Sequence, residues 1–185
     1  PGARVENHGS ITVAERGLAS LVAPGVANSG TINARLGRVA LAGAETFTLD
    51  LAGDGLVSLD VTQSVRQGPQ GGVALVTNSG TIEAAGGSVL LTAEAARGVV
   101  DTLLRNTGRI SADAASGSAA GIVVLRGGAG GDVQVAAGTL SATGTAPGVR
   151  GGTVAVTSRG GVVAVAQGAR LEASGVAGGG TVRVG

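Results

Sequence analysis

The chain has 185 residues, of which 36 are glycine and one, Phe47, is aromatic; cysteine, methionine, tryptophan and tyrosine are absent, which excludes a disulfide framework, a thiolate metal site and a centre filled by large rings. Thirteen basic residues, all arginine, stand against twelve acidic ones for a net charge of +1, and with no basic run and no interleaved aromatics, nucleic acid is not an expected partner. No apolar stretch reaches the roughly 18 residues that span a bilayer, so membrane insertion is not expected, while a hydrophobic share of 43% and a mean hydropathy of +0.39 favour a packed core over disorder.

Taken in chain order, period-2 runs bounded by turn residues predict strands near residues 10–15, 37–43, 46–53, 56–62, 71–77, 88–93, 121–126, 132–137, 153–158, 162–167 and 181–185. Apolar residues fall on alternate positions, as in Val39 and Leu41, Phe47, Leu49 and Leu51, Val89 and Leu91, Val133 and Val135, Val154 and Val156, and Val182 and Val184. One face of each strand therefore turns inward and the other meets water. Phe47, Leu49 and Leu51 are read as core. Only 92–105 has mixed apolar spacing of helical flavour, interrupted by Gly98, and it is read as an excursion.

The segment NSGTI occurs at 28–32 and again at 78–82, and returns as NTGRI at 106–110; a glycine-punctuated apolar run follows each time. A unit of Asn-Gly turn, strand, glycine break and strand is being reused, and such a unit buries its apolar face only by stacking on its neighbours. The expected architecture is all-β, a parallel β-helix or β-solenoid in one domain over 1–185. At about 20 residues per coil it would hold roughly nine coils, about 43 Å long at the strand spacing. Neither end carries an atypical polar or helical cap, so the reading is a segment of a longer rod that lacks its N-terminal cap, with any export signal outside it.

The run from His8 to Val61, followed by NSGTIEAAGGSVLLTAEAARGVVDTLLRNTGRI at 78–110, resembles the secretion-domain region of the filamentous haemagglutinin family; GGTVAVTS at 151–158, GARLEASG at 168–175 and GGGTVRVG at 178–185 look like the coils of its stem. The resemblance implies a right-handed parallel β-helix belonging to a large exoprotein of a Gram-negative bacterium. Such a protein is secreted or held at the cell surface after passage through the periplasm, is exported by a dedicated outer-membrane two-partner-secretion transporter, and in many cases acts in adhesion. A host-cell, glycan or bacterial surface ligand is the implied partner. The family's early NPNG-type motif and cap have no counterpart here.

Candidate site residues are few. Asn28, Asn78 and Asn106 occupy equivalent turns and are read as a structural turn ladder, either bonding coil to coil or supplying the turn conformation that asparagine tolerates. His8 is the lone histidine and is read as a solvated loop residue. GGAGGD at 127–132 matches one copy of a calcium-binding nonapeptide whose ion sites need stacked copies, so no metal and no cofactor is expected. The alternative function is a polysaccharide-acting β-helix enzyme, a lyase or hydrolase, which needs convergent carboxylates. Asp50, Asp54 and Asp60 form the densest acidic group, but nothing in their spacing sets them at one height. No Gly-x-Ser-x-Gly elbow and no GxxxxGK[ST] loop is present, so no catalytic residue is assigned.

Overall fold

The computed structural model describes residues 2–50, 58–69 and 74–185, with side chains excepted at 47–50 and 58–62. Its strands follow a three-beat repeat. The first coil holds Arg4–Asn7 (β1), Ser10–Thr12 (β2) and Leu18–Ala23 (β3), and the second Gly25–Asn28 (β4), Thr31–Asn33 (β5) and Arg38–Gly43 (β6). After Thr46–Asp50 (β7) and Ser58–Gln63 (β8), the third coil resumes with Val76–Asn78 (β9), Thr81–Glu83 (β10) and Ser88–Ala93 (β11). The fourth holds Thr102–Asn106 (β12), Arg109–Ser111 (β13) and Ile122–Gly127 (β14); the fifth Asp132–Val135 (β15), Thr139–Ser141 (β16) and Thr153–Ser158 (β17); the sixth Val163–Val165 (β18), Arg170–Glu172 (β19) and Thr181–Val184 (β20). Each beat stacks on its equivalents to form three parallel six-stranded sheets, so the chain is a parallel β-helix.

The described residues form six coils, not the nine expected. Successive equivalent asparagines lie 21, 50 and 28 residues apart, so a coil takes more chain than the assumed 20, and the long interval contains an insertion. Six strands at about 4.8 Å spacing make a stack about 24 Å deep. The insertion is the antiparallel pair β7–β8, which sets Phe47 opposite Val61 and Leu49 opposite Leu59 outside the three parallel sheets. The side chains of Phe47 and Leu49, and Leu51 altogether, lie outside the described residues, as do Asp54 and the side chains of Asp50 and Asp60.

Alternation becomes burial because register is kept from coil to coil. In the middle beat Ile11, Ile32, Ile82, Ile110, Leu140 and Leu171 form one column, and the four inner members are fully buried. In the third beat Leu21, Leu41, Leu91, Leu125 and Val156 form another, all of them buried. A one-residue slip would turn every one of these side chains to water. Val182 and Val184 belong to the same inward columns but are 47% and 50% exposed, because no described strand stacks on the far side of β20.

The segment 92–105 is not an excursion. Thr92 and Ala93 complete β11, Ala95 bridges Val65 across a corner, and Thr102 opens β12. Its mixed spacing comes from a register shift between Thr102 and Leu104, which allows the consecutive residues Leu103 and Leu104 both to be buried. The excursion lies instead at β7–β8, where two alternating runs look in sequence like any other coil strands.

Candidate functional site

Four asparagines form a continuous side-chain ladder along the helix. Asn7 Nδ2 donates to Asn28 Oδ1 at 2.7 Å, Asn28 Nδ2 to Asn78 Oδ1 at 2.8 Å, and Asn78 Nδ2 to Asn106 Oδ1 at 2.7 Å. Each is 8% exposed or less, so each amide replaces water with a like amide one coil away. The turns around them are tied in as well: Asn106 Nδ2 also donates to the Gly108 carbonyl at 3.0 Å, and the Ser79 and Gly80 amides donate to the Asn28 carbonyl. Asn28, Asn78 and Asn106 thus occur where the repeat placed them, in a structural role. Asn7 was missed, although NHGSI at 7–11 repeats the pattern of NSGTI with serine for threonine. The ladder stops at Val135, which stands in register with Asn106.

A second polar node was invisible in sequence. The half-buried carboxylate of Asp113 accepts from Ser111 Oγ at 2.7 Å, Ser141 Oγ at 3.0 Å, Thr143 N at 2.7 Å and Thr143 Oγ1 at 2.8 Å, and pairs with Arg109 at 3.5 Å. It clasps the fourth coil to the fifth. The one available signal was the matching triplets Ser111-Ala112-Asp113 and Ser141-Ala142-Thr143, which stack because Ser111 pairs with Ser141. Burial acts to raise the pKa of Asp113, but the Thr143 amide and then the hydroxyls of Ser111, Thr143 and Ser141 outweigh it and hold the carboxyl below its ordinary value. A lowered folded-state pKa gives stability that is present above the unfolded value of about 3.9 and is lost as pH falls through the folded one. Asp113→Asn should therefore be less stable than wild type near pH 7, and the gap should shrink progressively below about pH 4. Urea midpoints measured from pH 7 to pH 2 check this; a gap independent of pH would remove the charged clasp.

His8 is solvent-exposed, as expected for a loop residue, but it is not free. Its Nδ1 lies 2.7 Å from Ser29 Oγ and its Nε2 lies 3.1 Å from Glu6 Oε2, which is the spacing of a nucleophile, base and carboxylate. The His8 hydrogen bond, and then the charge of Arg4, hold Glu6 below its ordinary pKa. Acyl transfer also needs backbone donors aimed at an oxyanion. Here the amides of Ser29 and Gly30 both donate to the Asn7 carbonyl, and that of Thr31 donates to Gly9. The histidine is 69% exposed, so nothing excludes water from it. The arrangement ties the first coil to the second.

In GGAGGD the Asp132 carboxylate caps the Val162 amide at 2.8 Å, a strand-entry bond to the next coil. Among the described residues no group of three or more His, Cys, Asp or Glu side chains comes together to hold a metal ion. No protein-family model matches the chain, and no curated protein matches it.

Proposed function

We propose that the chain is a structural and adhesive stem segment of a secreted exoprotein of the filamentous haemagglutinin type, exported by an outer-membrane two-partner-secretion transporter. The observation that carries this reading is the stacking of three parallel sheets with the same beats: the inward columns run from coil to coil, and the asparagine ladder joins the first four coils. That is the construction of a stiff spacer whose coils each supply the template for the next. The resemblance over 8–61 and 78–110 and in the later stem-like coils adds the mode of export. Folding outside the membrane, coil upon coil, then drives translocation, and the rod holds recognition elements away from the cell.

The test is export. Cells that express the parent protein with its neighbouring outer-membrane barrel should display it to external protease, and cells without the barrel should retain it in the periplasm. Display that is independent of any barrel would overturn the two-partner reading. The stem reading also predicts that the chain releases no reducing ends or unsaturated products from pectins, alginates and glycosaminoglycans, with or without calcium. A turnover signal that Asp54→Asn abolishes would instead establish the enzyme.

A further inference from the structure

The outer surface of the first-beat sheet carries a cleft of about 250 Å³, lined among others by Arg4, Thr77, Ser79, Arg105 and Thr107, with Pro69 as a wall. The wall is built in: a Cβ on Gly25 would lie 2.8 Å from Pro69 Cβ, so the absence of a side chain at position 25 is what lets Pro69 pack there. The three hydroxyl residues lie in two rows of one repeat. Thr77 precedes the ladder asparagine of its coil, whereas Ser79 and Thr107 follow theirs.

The charge in this cleft is unbalanced. Arg4 is neutralised by Glu6, its Nε lying 2.5 Å from Glu6 Oε1. Arg105, half-buried on the outward face of β12, donates from Nη1 to the neutral Gln134 Oε1 at 2.9 Å and has no carboxylate partner among the described residues. Glu6 is in the same outward row, but Ala27 and Thr77 intervene, and three strand spacings put it about 14 Å away. Among the described residues no acidic side chain lines the cleft. A half-buried guanidinium that keeps most of its donors and lacks a counter-ion is a fork matched to a carboxylate.

We infer that this cleft binds the carboxylate of a uronic acid unit in an acidic polysaccharide. Arg105 takes the carboxylate, Thr77, Ser79 and Thr107 take ring hydroxyls, and Pro69 faces the apolar edge of the ring. The volume lies below the roughly 300–1,000 Å³ of sites for drug-sized ligands and suits a single sugar unit. Among the described residues neither a carboxylate nor a histidine lines the cleft to act as acid or base, so the proposed role is to hold the sugar and not to cleave it. The inference adds a ligand class to the adhesive reading and takes its biological use from it. The two fail separately, because the cleft is tested on the isolated chain in solution and export is tested on cells.

Titration of the ¹⁵N-labelled chain with trigalacturonate should shift the amides of Thr77, Ser79 and Thr107 saturably. The methyl ester of the same trisaccharide and the variant Arg105→Gln should each weaken binding about tenfold or more, the loss expected for one charge-assisted contact. Arg183→Gln, on another sheet, should bind as wild type does. The ester comparison carries the test by itself if Arg105→Gln does not fold. The inference is overturned if trigalacturonate causes no saturable shift, if its ester binds equally well, or if inorganic phosphate or galactose 6-sulfate shifts the same amides more strongly, which would make the cleft a site for a different oxyanion.

Discussion

Gly121→Ala should be among the most damaging small substitutions at the described residues. A Cβ at position 121 would lie 1.9 Å from the carbonyl oxygen of Gly87, and Gly87 stands in the same relation to Gly37, and Gly152 to Gly121. This column is where the backbone turns from the second beat into the third, and neighbouring coils touch main chain to main chain. The clash cannot be relieved by a rotamer, because both partners are backbone. Nor can it be relieved by lifting one coil, because Ile122 N donates to Gly87 O at 3.0 Å and Thr153 N to Gly121 O at 3.1 Å. The expected loss is about 3 kcal/mol or more, at or beyond the upper end of ordinary overpacking. Gly179→Ala, which meets nothing within 4 Å, should stay within about 0.5 kcal/mol of wild type. Denaturant midpoints of the two variants decide the matter: equal midpoints would mean that the coils have slack at this corner.

Asn78→Ala should cost about 3 kcal/mol. The substitution removes two buried amide bonds, one accepted from Asn28 and one donated to Asn106, and it leaves Asn106 Oδ1 without the bond it had, at about 1–3 kcal/mol per orphaned buried group. Asn7→Ala, at the end of the ladder, breaks one side-chain link and should cost about 1 kcal/mol. Replacing Asn7, Asn28, Asn78 and Asn106 together by valine should cost less than the sum of the four single changes, because no amide is then left facing an apolar partner. Val135 already continues the row on top of Asn106. Thermal unfolding of the singles and of the quadruple variant tests this; strict additivity would mean that each asparagine acts only on its own turn.

How far the fold could be read before any coordinates follows from particular residues. Eleven predicted strands each overlap an observed one, and the runs at 88–93 and 153–158 match to the residue. What escaped was mostly the three-residue middle beat, such as Thr31–Asn33 and Thr139–Ser141, where a single inward isoleucine or leucine is too short a run to show a period. The coil count failed for a related reason. The runs Thr46–Asp50 and Ser58–Gln63 alternate as coil strands do, and alternation reports a half-buried strand without naming the strand it pairs with.

The sequence by itself determined the class of structure, the reused turn-and-strand unit and the inward alternation of the longer coil strands, because period-2 burial and asparagine-glycine turns are local properties of a chain. It also located three of the four ladder asparagines. Only the tertiary structure decided how many coils the described residues form, that β7–β8 leaves the helix, that Asp113 clasps two coils, and that Arg105 faces a cleft without a carboxylate partner among the described residues. Each of these depends on which residues 20 to 50 positions apart are brought within one strand spacing, and that distance is set by the length of every corner between them, a quantity that no local pattern records.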